Sequence, residues 1–421
     1  MRGEISVRNK VLAFVMAGGK GTRLEPLTLA RSKPAVPFGG KYRIIDFVLS
    51  NFVNSGIYGI YVLTQFKSQS LTEHMEETWN FGTILPDHFI IPVPAQQRTG
   101  EHWYQGTADA IWQNANLIQD HQPELVAVFG GDHIYKMEIE GMCRFHRDAG
   151  AHCSIAAIPV PIAEANQFGV IQVDKDWRIT GFQEKPKKPT PIPGSPDMAL
   201  VSMGNYIFGK NVLLESLQTD AEDPQSSHDF GKDILPRLLA DGRKLYAFDF
   251  RRNRIPGSTN VANDSYWRDV GTLESYYDAC IDLRAVEPQL DLYNQEWPIR
   301  TTPNTYPPAK FVHNADGRVG TAIQSIVCEG SIISGGRVMD SVLGQRCIVH
   351  SFAEVNACVF MEDVEIGRGA KLNRCIIDKH VKIPAGDIIG FDRVADAKRF
   401  KVTESGLVII AKHQMVETPR P

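Results

Sequence analysis

The 421-residue sequence lacks any long, uncharged apolar run. A membrane-spanning helix needs about 18 such residues, so a membrane protein is not expected. No apolar region with a small-residue cleavage site stands before the first predicted strand, so no signal peptide is expected either. A strong charge of one sign is also missing, because the formal net charge is only -4. This balance excludes nucleic-acid binding through overall charge, and any attraction for anions must come from local Lys and Arg residues.

Paired cysteine motifs are missing as well. The chain has seven cysteines, an odd number, and none of them form a Cys-x-x-Cys pair. Four share one apolar C-terminal stretch: Cys328, Cys347, Cys358 and Cys375. They are either ligands of a metal or redox site or buried thiols, and their spacings, which match no zinc pattern, favour buried thiols. Reduced cysteines indicate a reducing compartment, so we expect a cytoplasmic protein.

The length of the chain predicts two domains, and the first is of the α/β class. Up to about residue 280, short apolar runs alternate with amphipathic stretches. The apolar runs predict strands at 11–16, 59–64, 125–129 and 153–160, and the amphipathic stretches predict helices at 46–54 and 108–118. We therefore predict a Rossmann-like domain over residues 1–286 with a mostly parallel sheet. Such sheets bind ligands at the carboxyl ends of their strands.

The C-terminal part of the chain has a different period. Pro-rich residues 287–323 predict a linker between the domains. In residues 324–421 apolar side chains recur every six positions, as in Ile326, Ile332 and Val338. Glycines mark the expected turns: Gly330, Gly335, Gly344, Gly367 and Gly369. This pattern predicts a β-helix of hexapeptide rungs, with an antiparallel sheet of accidental spacing as the alternative, and a β-helix favours oligomers.

A glycine-rich turn, Ala-Gly-Gly-Lys-Gly-Thr-Arg-Leu, follows the first predicted strand. It is neither a Walker A loop nor the dinucleotide-binding Gly-x-Gly-x-x-Gly motif. Its successive glycines allow backbone N–H groups to turn inward and bind an anion. Arg23 adds a planar set of donors for phosphate oxygens, and Lys33 adds a second cation ten residues later. The turn therefore predicts a phosphate-binding loop.

Two carboxylates are candidate metal ligands. Asp132 comes just after the predicted strand 125–129 and two glycines, where it is either a turn or capping residue or a ligand. Beside phosphates, a hard carboxylate is the ligand that Mg²⁺ prefers, which favours the second interpretation. Asp269 is the other candidate, within residues 266–272. Two carboxylates that converge on one cation would suit transfer of a nucleotidyl group.

Two further stretches are candidate substrate contacts. Lys185 ends a strand-like segment next to Pro186, where it is either a solvated lysine or, as its position favours, a sugar-phosphate contact. Residues 226–233 place many polar groups together, and by themselves they indicate a loop with a helix cap. His228, within that loop, is not by itself predicted to be a ligand.

The motif Gly-Gly-x-Gly-Thr-Arg-Leu after a strand, with Lys-Pro ten residues on, resembles the sugar nucleotidyltransferases. The resemblance extends over several longer stretches: residues 33–47, 94–98, 103–110, 227–233 and 266–272. Together with the hexapeptide repeats, these stretches resemble the bacterial ADP-glucose pyrophosphorylase family from Val11 to about Phe400. The resemblance implies a left-handed parallel β-helix and the reaction of ATP with glucose 1-phosphate to ADP-glucose and pyrophosphate. That reaction is the committed step of bacterial glycogen synthesis.

The resemblance also implies roles for individual residues. Arg23, Lys33 and Asp132 would be catalytic, with the two cations on the ATP phosphates, and Asp132 and Asp269 would bind Mg²⁺. The ATP side would be formed by Gly18, Gly19, Gly21, Thr22, Gln96, Gln97, Trp103, Tyr104 and Gly106. The glucose 1-phosphate side would be formed by Tyr104, Gly169, Glu184, Lys185, Ser202, Tyr206, Asp229, Phe230 and Trp267. No role is implied for residues 251–264.

Regulation is a further implication of the resemblance. Members of the family are typically homotetramers controlled by metabolites bound between the two domains. The matching positions are Lys41, Arg43 and Arg399, which would bind anions such as sugar phosphates, AMP or inorganic phosphate. The alternative for these three residues is an interdomain cluster of salt bridges.

Three other functions compete with this interpretation. Transferases that make UDP-, dTDP- or GDP-sugars share the glycine loop but resemble this chain poorly at residues 37–47 and 226–233. A non-catalytic regulatory homologue would tend to lose the phosphate cations or the metal carboxylate, which are all present here. Acyl transfer by the hexapeptide domain would need a histidine site, and the repeats offer only His350 and His380, with no sign of a pocket.

Overall fold

The computed structural model describes residues 11–80, 88–314 and 317–417. The segment before Val11, in which no signal peptide is expected, lies outside the described residues. In the ranges that are described, none of the helices combines the length and the apolar character needed to cross a bilayer.

A nine-stranded sheet forms the centre of the N-terminal domain. The strands of this domain are β1 (Val11–Met16), β2 (Pro37–Phe38), β3 (Tyr42–Arg43), β4 (Gly59–Thr64), β5 (Phe89–Pro94), β6 (Leu125–Gly130), β7 (His133–Tyr135), β8 (Cys153–Pro161), β9 (Gly169–Val173), β10 (Ile179–Glu184), β11 (Met198–Gly209), β12 (Leu245–Asp249) and β13 (Trp267–Asp269). Strands β6, β1, β4 and β5 are parallel neighbours, as predicted. The long strand β11 runs antiparallel to β6 and β8 and extends the sheet toward β9 and β10.

Helices cover the sheet of this domain. They are α1 (Ile44–Asn54), α2 (Gln69–Thr78), α3 (Thr107–Trp112), α4 (Ala115–His121), α5 (Ile139–Asp148), α6 (Lys210–Ala221), α7 (Leu235–Ala240) and α8 (Leu273–Asp282). The helix predicted at 46–54 is α1, which begins two residues earlier. The single helix predicted at 108–118 is wrong, because α3 ends before α4 begins. Between them the Asn114 side chain donates to the carbonyl of Ala110, a local bond that competes with continuous helix.

A two-stranded antiparallel ribbon stands apart from the large sheet. It consists of β7 and β13, with His133 opposite Asp269 and Tyr135 opposite Trp267. Because β7 starts directly after Asp132, this register brings together two carboxylates that are far apart in the sequence.

The C-terminal domain is a parallel β-helix, as the six-residue period predicts. Its elements are β14 (Lys310–Asn314), β15 (Arg318–Val319), β16 (Thr321–Ile323), β17 (Ile326–Val327), β18 (Ile332–Ser334), β19 (Arg337–Met339), β20 (Val342–Leu343), β21 (Ile348–Val349), β22 (Glu354–Asn356), β23 (Val359–Phe360), β24 (Glu365–Ile366), β25 (Lys371–Asn373), β26 (Cys375–Ile377), β27 (Lys382–Ile383), β28 (Ile388–Ile389), α9 (Arg393–Ala397), β29 (Lys401–Val402) and β30 (Val408–Ile410). Ile326, Ile332 and Val338 lie on three different sheets, so each six-residue step places one apolar side chain on the next face. Successive coils pair in parallel, which excludes the antiparallel alternative.

Two details of the prediction need correction. The predicted linker of residues 287–323 extends too far, because β14 and β16 already pair in parallel with β-helix strands. Gly344 and Gly367, which were expected at turns, each lie directly before a turn and are not in the left-handed conformation. An added Cβ would lie 2.7 Å from the carbonyl carbon of Met361 at Gly344, and 2.5 Å from the nitrogen of Ala385 at Gly367. These two glycines are therefore required because neighbouring coils approach them closely.

The two domains share an apolar core. Leu24, Phe38 and Phe47 of the first domain belong to the same buried cluster as Ile376 and Ile409 of the β-helix. All seven cysteines are free and buried, which confirms the burial predicted for the four in the C-terminal stretch.

Candidate active site

A cavity of about 570 Å³ opens where the parallel strands β1 and β6 end. The predicted residues that line it are Gly18, Gly19, Gly21, Thr22, Arg23, Lys33, Tyr104, Gly106, Asp132, Glu184, Tyr206, Asp229 and Phe230. The fold thus brings predicted nucleotide contacts and predicted sugar contacts to one place. Its position at the carboxyl ends of the strands is the one expected for an α/β sheet.

The glycine turn is attached to the end of β1 and packs closely against Lys33. The backbone N–H of Ala17 donates to the carbonyl of Leu63 on the neighbouring strand, 2.9 Å away. Gly21 has a φ of 64°, and an added Cβ would lie 3.0 Å from the Cβ of Lys33. Both the left-handed backbone and this close approach require glycine at position 21.

Lys33 lies between the two candidate metal ligands. Its Nζ is 3.0 Å from Oδ2 of Asp132 and 2.8 Å from Oδ1 of Asp269, and its side chain is only 7% exposed. Burial by itself would lower the pKa of Lys33, but the two carboxylates raise it above its ordinary value. Burial likewise opposes ionisation of Asp132, yet the neighbouring Lys33 and His133 hold its pKa well below the usual range. The cluster therefore contains a charged ammonium and ionised Asp132 at neutral pH.

The carboxylates have a third potential ligand beside them. Nε2 of His133 is 3.5 Å from Oδ1 of Asp132 and 4.0 Å from Oδ1 of Asp269. One ligand atom from each of these three residues lies within 4.8 Å of the other two. Two carboxylates with one imidazole form a donor set that fits a divalent cation.

Arg23 is the most exposed cation of the cluster. Its side chain is 58% exposed, and Nη2 is 3.6 Å from Oδ2 of Asp269. Nη1 donates to Oε1 of Gln167 at 3.3 Å. Because Arg23 lines the cavity and remains largely in solvent, its guanidinium is free to turn toward a bound anion.

The opposite wall of the cavity is formed by carboxylates and aromatic rings. Tyr206 and Phe230 stack with their ring centroids 5.5 Å apart. Asp229 accepts hydrogen bonds from the backbone of Gly231 at 2.9 Å and from the hydroxyl of Thr107 at 3.2 Å. These bonds fix the orientation of the Asp229 carboxylate, which can accept hydrogen bonds from the hydroxyl groups of a polar ligand.

Comparison with known proteins identifies the family. Residues 12–285 match the family described as nucleotidyl transferase, and residues 307–410 match the GlmU-like C-terminal hexapeptide family. The glucose-1-phosphate adenylyltransferase of Thermus thermophilus is 56% identical over 96% of this chain and 99% of its own length. The glucose-1-phosphate adenylyltransferase of Deinococcus radiodurans is 51% identical over the same shares. Glucose-1-phosphate adenylyltransferase 1 of Vibrio vulnificus is 50% identical over 96% of this chain and 98% of its own length.

The chain belongs to the glucose-1-phosphate adenylyltransferase family of nucleotidyl transferases.

Some positions that the family resemblance implies lie outside the cavity lining described above. Trp103 is 57% exposed, and Gln96 accepts a hydrogen bond from Arg98. Trp267 is buried against the ring of His133, with the centroids 5.1 Å apart. The remaining ones are Gln97, Gly169, Lys185, Ser202 and Asp269, of which Asp269 contacts the cavity-lining Lys33. The roles assigned to all of these residues in the glucose-1-phosphate adenylyltransferase family remain predictions for this chain.

Three of those positions have identifiable neighbours. Nζ of Lys185 is 3.2 Å from Oε1 of Glu184, and the Lys185 side chain is 64% exposed. An added Cβ at Gly169 would lie 3.2 Å from Oε2 of Glu184. The hydroxyl of Ser202 accepts from the backbone of Gly204 at 3.1 Å. Lys185 and Gly169 therefore adjoin Glu184, which does line the cavity.

The three positions predicted to bind effectors are not in mutual contact. Lys41 pairs with Glu329 of the β-helix at 3.4 Å, whereas Arg43 donates to the carbonyl of Ser70 at 2.7 Å. Arg399 pairs with Asp387 inside the β-helix. Within the described ranges, no hydrogen bond or ion pair joins Arg399 to Lys41 or Arg43. Of the three, Lys41 alone forms an interdomain salt bridge of the kind that the alternative interpretation expects, within the part of the chain that the structure describes.

Three polar residues that line the cavity were not predicted as site residues from the sequence of this glucose-1-phosphate adenylyltransferase family member. His133 adjoins both carboxylates, and its place directly after Asp132 was the available signal. Gln65 accepts from the backbone N–H of Tyr104 at 2.9 Å, and Thr107 holds Asp229. Gln65 follows the end of β4, a position that strand-end reasoning could have found.

Proposed function

We propose that this protein transfers the adenylyl group of ATP to glucose 1-phosphate, with release of pyrophosphate. The observation that supports this most is the meeting of the glycine turn, Lys33 and Asp132 in one cavity that also contains Glu184 and Asp229, with Asp269 paired to Lys33 beside it. A triphosphate needs the N–H groups and cations, and the hydroxyls of a sugar phosphate need the carboxylates. The reaction therefore requires these two surfaces next to each other. The names of the relatives agree with this substrate pair.

The reaction needs no nucleophilic side chain. A phosphate oxygen of glucose 1-phosphate is already an anion, and it attacks the α-phosphorus of ATP. A new P–O bond forms while the bond between the α-phosphorus and the bridging oxygen of pyrophosphate breaks. The task of the protein is alignment and neutralisation of charge, for which we assign the N–H groups of the glycine turn, Arg23 and Lys33.

Nucleotidyl transferases of this family generally use a divalent metal. We propose that the metal is Mg²⁺ and that Asp132 and Asp269 hold it, with His133 beside them. A bound Mg²⁺ supplies positive charge that neutralises phosphate oxygens. Lys33, held against both carboxylates, keeps them oriented and adds the charge of its own ammonium.

The opposite wall of the cavity, with its carboxylates and aromatic rings, supports a site for the sugar. We assign Glu184 and Asp229 to the hydroxyl groups of glucose, because ionised carboxylates accept hydrogen bonds from hydroxyls. Tyr206 and Phe230 offer the apolar surface beside them. Lys185, next to Glu184, is assigned to the sugar phosphate.

The test is a comparison of ATP, UTP, dTTP and GTP, each with glucose 1-phosphate, by release of pyrophosphate. We expect turnover with ATP to exceed that with the other three, and Asp132→Asn to lower it strongly. The control is Asp176→Asn, which removes an exposed carboxylate far from the cavity and should leave turnover unchanged. Preference for another nucleotide would instead support a UDP-, dTDP- or GDP-sugar enzyme. Absence of turnover with all four would support a non-catalytic homologue.

We also propose that anionic metabolites regulate a homotetramer through Lys41, Arg43 and Arg399. The position of Lys41 at the domain interface supports this for that residue. Rates measured with sugar phosphates, AMP and inorganic phosphate, and repeated on Lys41→Ala, test the regulation. Indifference to every anion would remove this part of the proposal, and sedimentation of the protein tests the tetramer.

A further inference from the structure

A second cavity, of about 530 Å³, lies behind the active site, where residues 255–266 face residues 283–294. Its near wall includes much of the 251–264 segment, for which the sequence predicted no role. Asn253 attaches this segment to the end of β7, because its amide donates to the carbonyl of Lys136 at 3.0 Å. The same side chain accepts from the backbone N–H of Glu138 at 3.0 Å. The wall of the cavity is therefore a fixed structure.

The cavity adjoins the ribbon that holds the active-site carboxylates. Lys136 directly follows β7 and Tyr266 directly precedes β13, and both line the cavity. His133 and Asp269 lie at the other end of the same ribbon. A molecule in this cavity would thus contact the ribbon without entering the candidate active site.

Lys136 is the unusual residue of this cavity. It is only 7% exposed, and in the described part of the chain its ammonium has no hydrogen-bond or ion-pair partner. Burial lowers the pKa of Lys136 to about 8, although the charges of Asp291 and Asp264 oppose this change. Most of the Lys136 side chain is buried, and its nitrogen is accessible from the cavity. Because buried polar groups are normally paired, a ligand in the cavity would provide the partner that the protein does not.

The other groups on the wall indicate the kind of ligand. One ammonium faces three carboxylates, those of Asp264, Glu287 and Asp291, so the net charge repels a phosphate or carboxylate. Amide and hydroxyl side chains form much of the remaining polar surface: Ser258, Thr259, Asn260, Asn263 and Asn294. The ring of Tyr266 and the side chains of Leu283 and Leu290 provide an apolar patch.

We propose that this cavity binds a neutral polyhydroxylated molecule of the size of a mono- or disaccharide. Ligand hydroxyls accept from the ammonium of Lys136 and from the amides, and they donate to Asp264 and Asp291. The apolar patch of Tyr266, Leu283 and Leu290 covers the C–H face of a sugar ring. A cavity of this volume is within the range of small-molecule sites.

Saturation-transfer NMR with the full-length protein tests the proposal. Maltose, trehalose and sorbitol are the probes, and inorganic phosphate and spermidine are charged comparison ligands. ADP-glucose is kept at saturation throughout, so that the candidate active site is not available to the probes. We expect at least one neutral probe to bind with a Kd of about 1 mM, which is ordinary for a ligand of this size.

Two variants test whether the probe binds in this cavity. Lys136→Met keeps the length of the side chain and removes the charge, and it should weaken binding about tenfold or more. Ala285→Trp fills the cavity from its wall and should abolish binding. Lys175→Met, at an exposed lysine elsewhere on the surface, is the matched control and should bind as the wild type does.

Folding of each variant is verified by its thermal unfolding. Lys136→Met should remain folded, because it removes an unpaired buried ammonium. Two outcomes would overturn the proposal. One is binding of phosphate or spermidine with no binding of any neutral probe. The other is binding of the neutral probes that both cavity variants leave unchanged.

Discussion

At the scale of single residues, the two cations of the candidate active site, Lys33 and Arg23, differ in burial and therefore in role. Lys33 is buried against two carboxylates, whereas Arg23 is largely exposed and contacts Asp269 only loosely. Lys33 therefore holds the two carboxylates in position as well as providing positive charge. Arg23 is available to respond to a ligand, and it is the better residue for testing catalysis.

Replacement of Arg23 by Ala should lower kcat by about 10²–10³ with a modest change in KM. The reason is that a cation acting chiefly on the transition state contributes little to binding of the ground state. Steady-state kinetics with ATP and glucose 1-phosphate measure both constants. Lys20→Ala changes an exposed cation of the same turn and should have little effect on either. An unchanged kcat for Arg23→Ala would contradict the role assigned to it.

The burial of His146 predicts how the free energy of unfolding depends on pH. It is buried, its Nδ1 is 3.0 Å from the hydroxyl of Ser154, and burial lowers its pKa to about 4. In the unfolded chain its pKa is near 6.5. Since the unfolded state binds the proton first, the free energy of unfolding should fall by about 3 kcal/mol as pH falls from 6.5 to 4.

Urea unfolding of wild type and His146→Gln across that pH range measures this contribution. The variant should lose less stability than the wild type on acidification. His313→Gln, at an exposed histidine, should follow the wild-type curve. Equal slopes for wild type and His146→Gln would show that His146 is not the group responsible.

At the scale of elements, close approach decides which residues the β-helix accepts. The apolar side chains at six-residue steps fill the interior, and Val338, Val355 and Leu372 stack in register through successive coils. At some corners the next coil lies so near that no side chain fits. Gly344 is such a position, although its backbone conformation would suit any residue.

Substitution of Gly344 by Ala should destabilise the protein by about 1–3 kcal/mol, because the new methyl group forces neighbouring backbone to shift. Thermal or urea unfolding measures this loss in the free energy of unfolding. Gly209→Ala is the matched control, since an added Cβ there meets nothing within 4 Å. Equal stability of the two variants would mean that the coils relax without cost.

At the scale of the whole molecule, a buried ion pair connects the two domains. Both Nη atoms of Arg31 donate to Oδ1 of Asp378 at 2.9 Å, and both side chains are at most 3% exposed. Arg31 precedes Lys33 by two residues, so this contact also holds the segment that carries Lys33. The β-helix thereby takes part in positioning a group of the candidate active site.

Arg31→Met should cost about 3–5 kcal/mol, because it leaves the carboxylate of Asp378 buried without its counter-charge. The double variant Arg31→Met with Asp378→Leu should recover part of that loss. Urea unfolding of the two variants and the wild type gives the comparison. A double variant less stable than Arg31→Met would contradict this account of the pair.

The sequence by itself determined the class of both domains, the glycine turn after the first strand and most of the charged residues that the fold brings to the cavity. Local signals suffice for these features: glycines after a strand, an apolar period of six, carboxylates at strand ends. It did not determine the break at Asn114, the start of the β-helix at Lys310 or the separation of Arg399 from Lys41. Only the tertiary structure decided that Lys33 lies between Asp132 and Asp269, and that Lys136 faces a cavity with no ion-pair or hydrogen-bond partner among the described residues. Such contacts join residues that are far apart in the chain, and their geometry depends on the packing of the whole molecule.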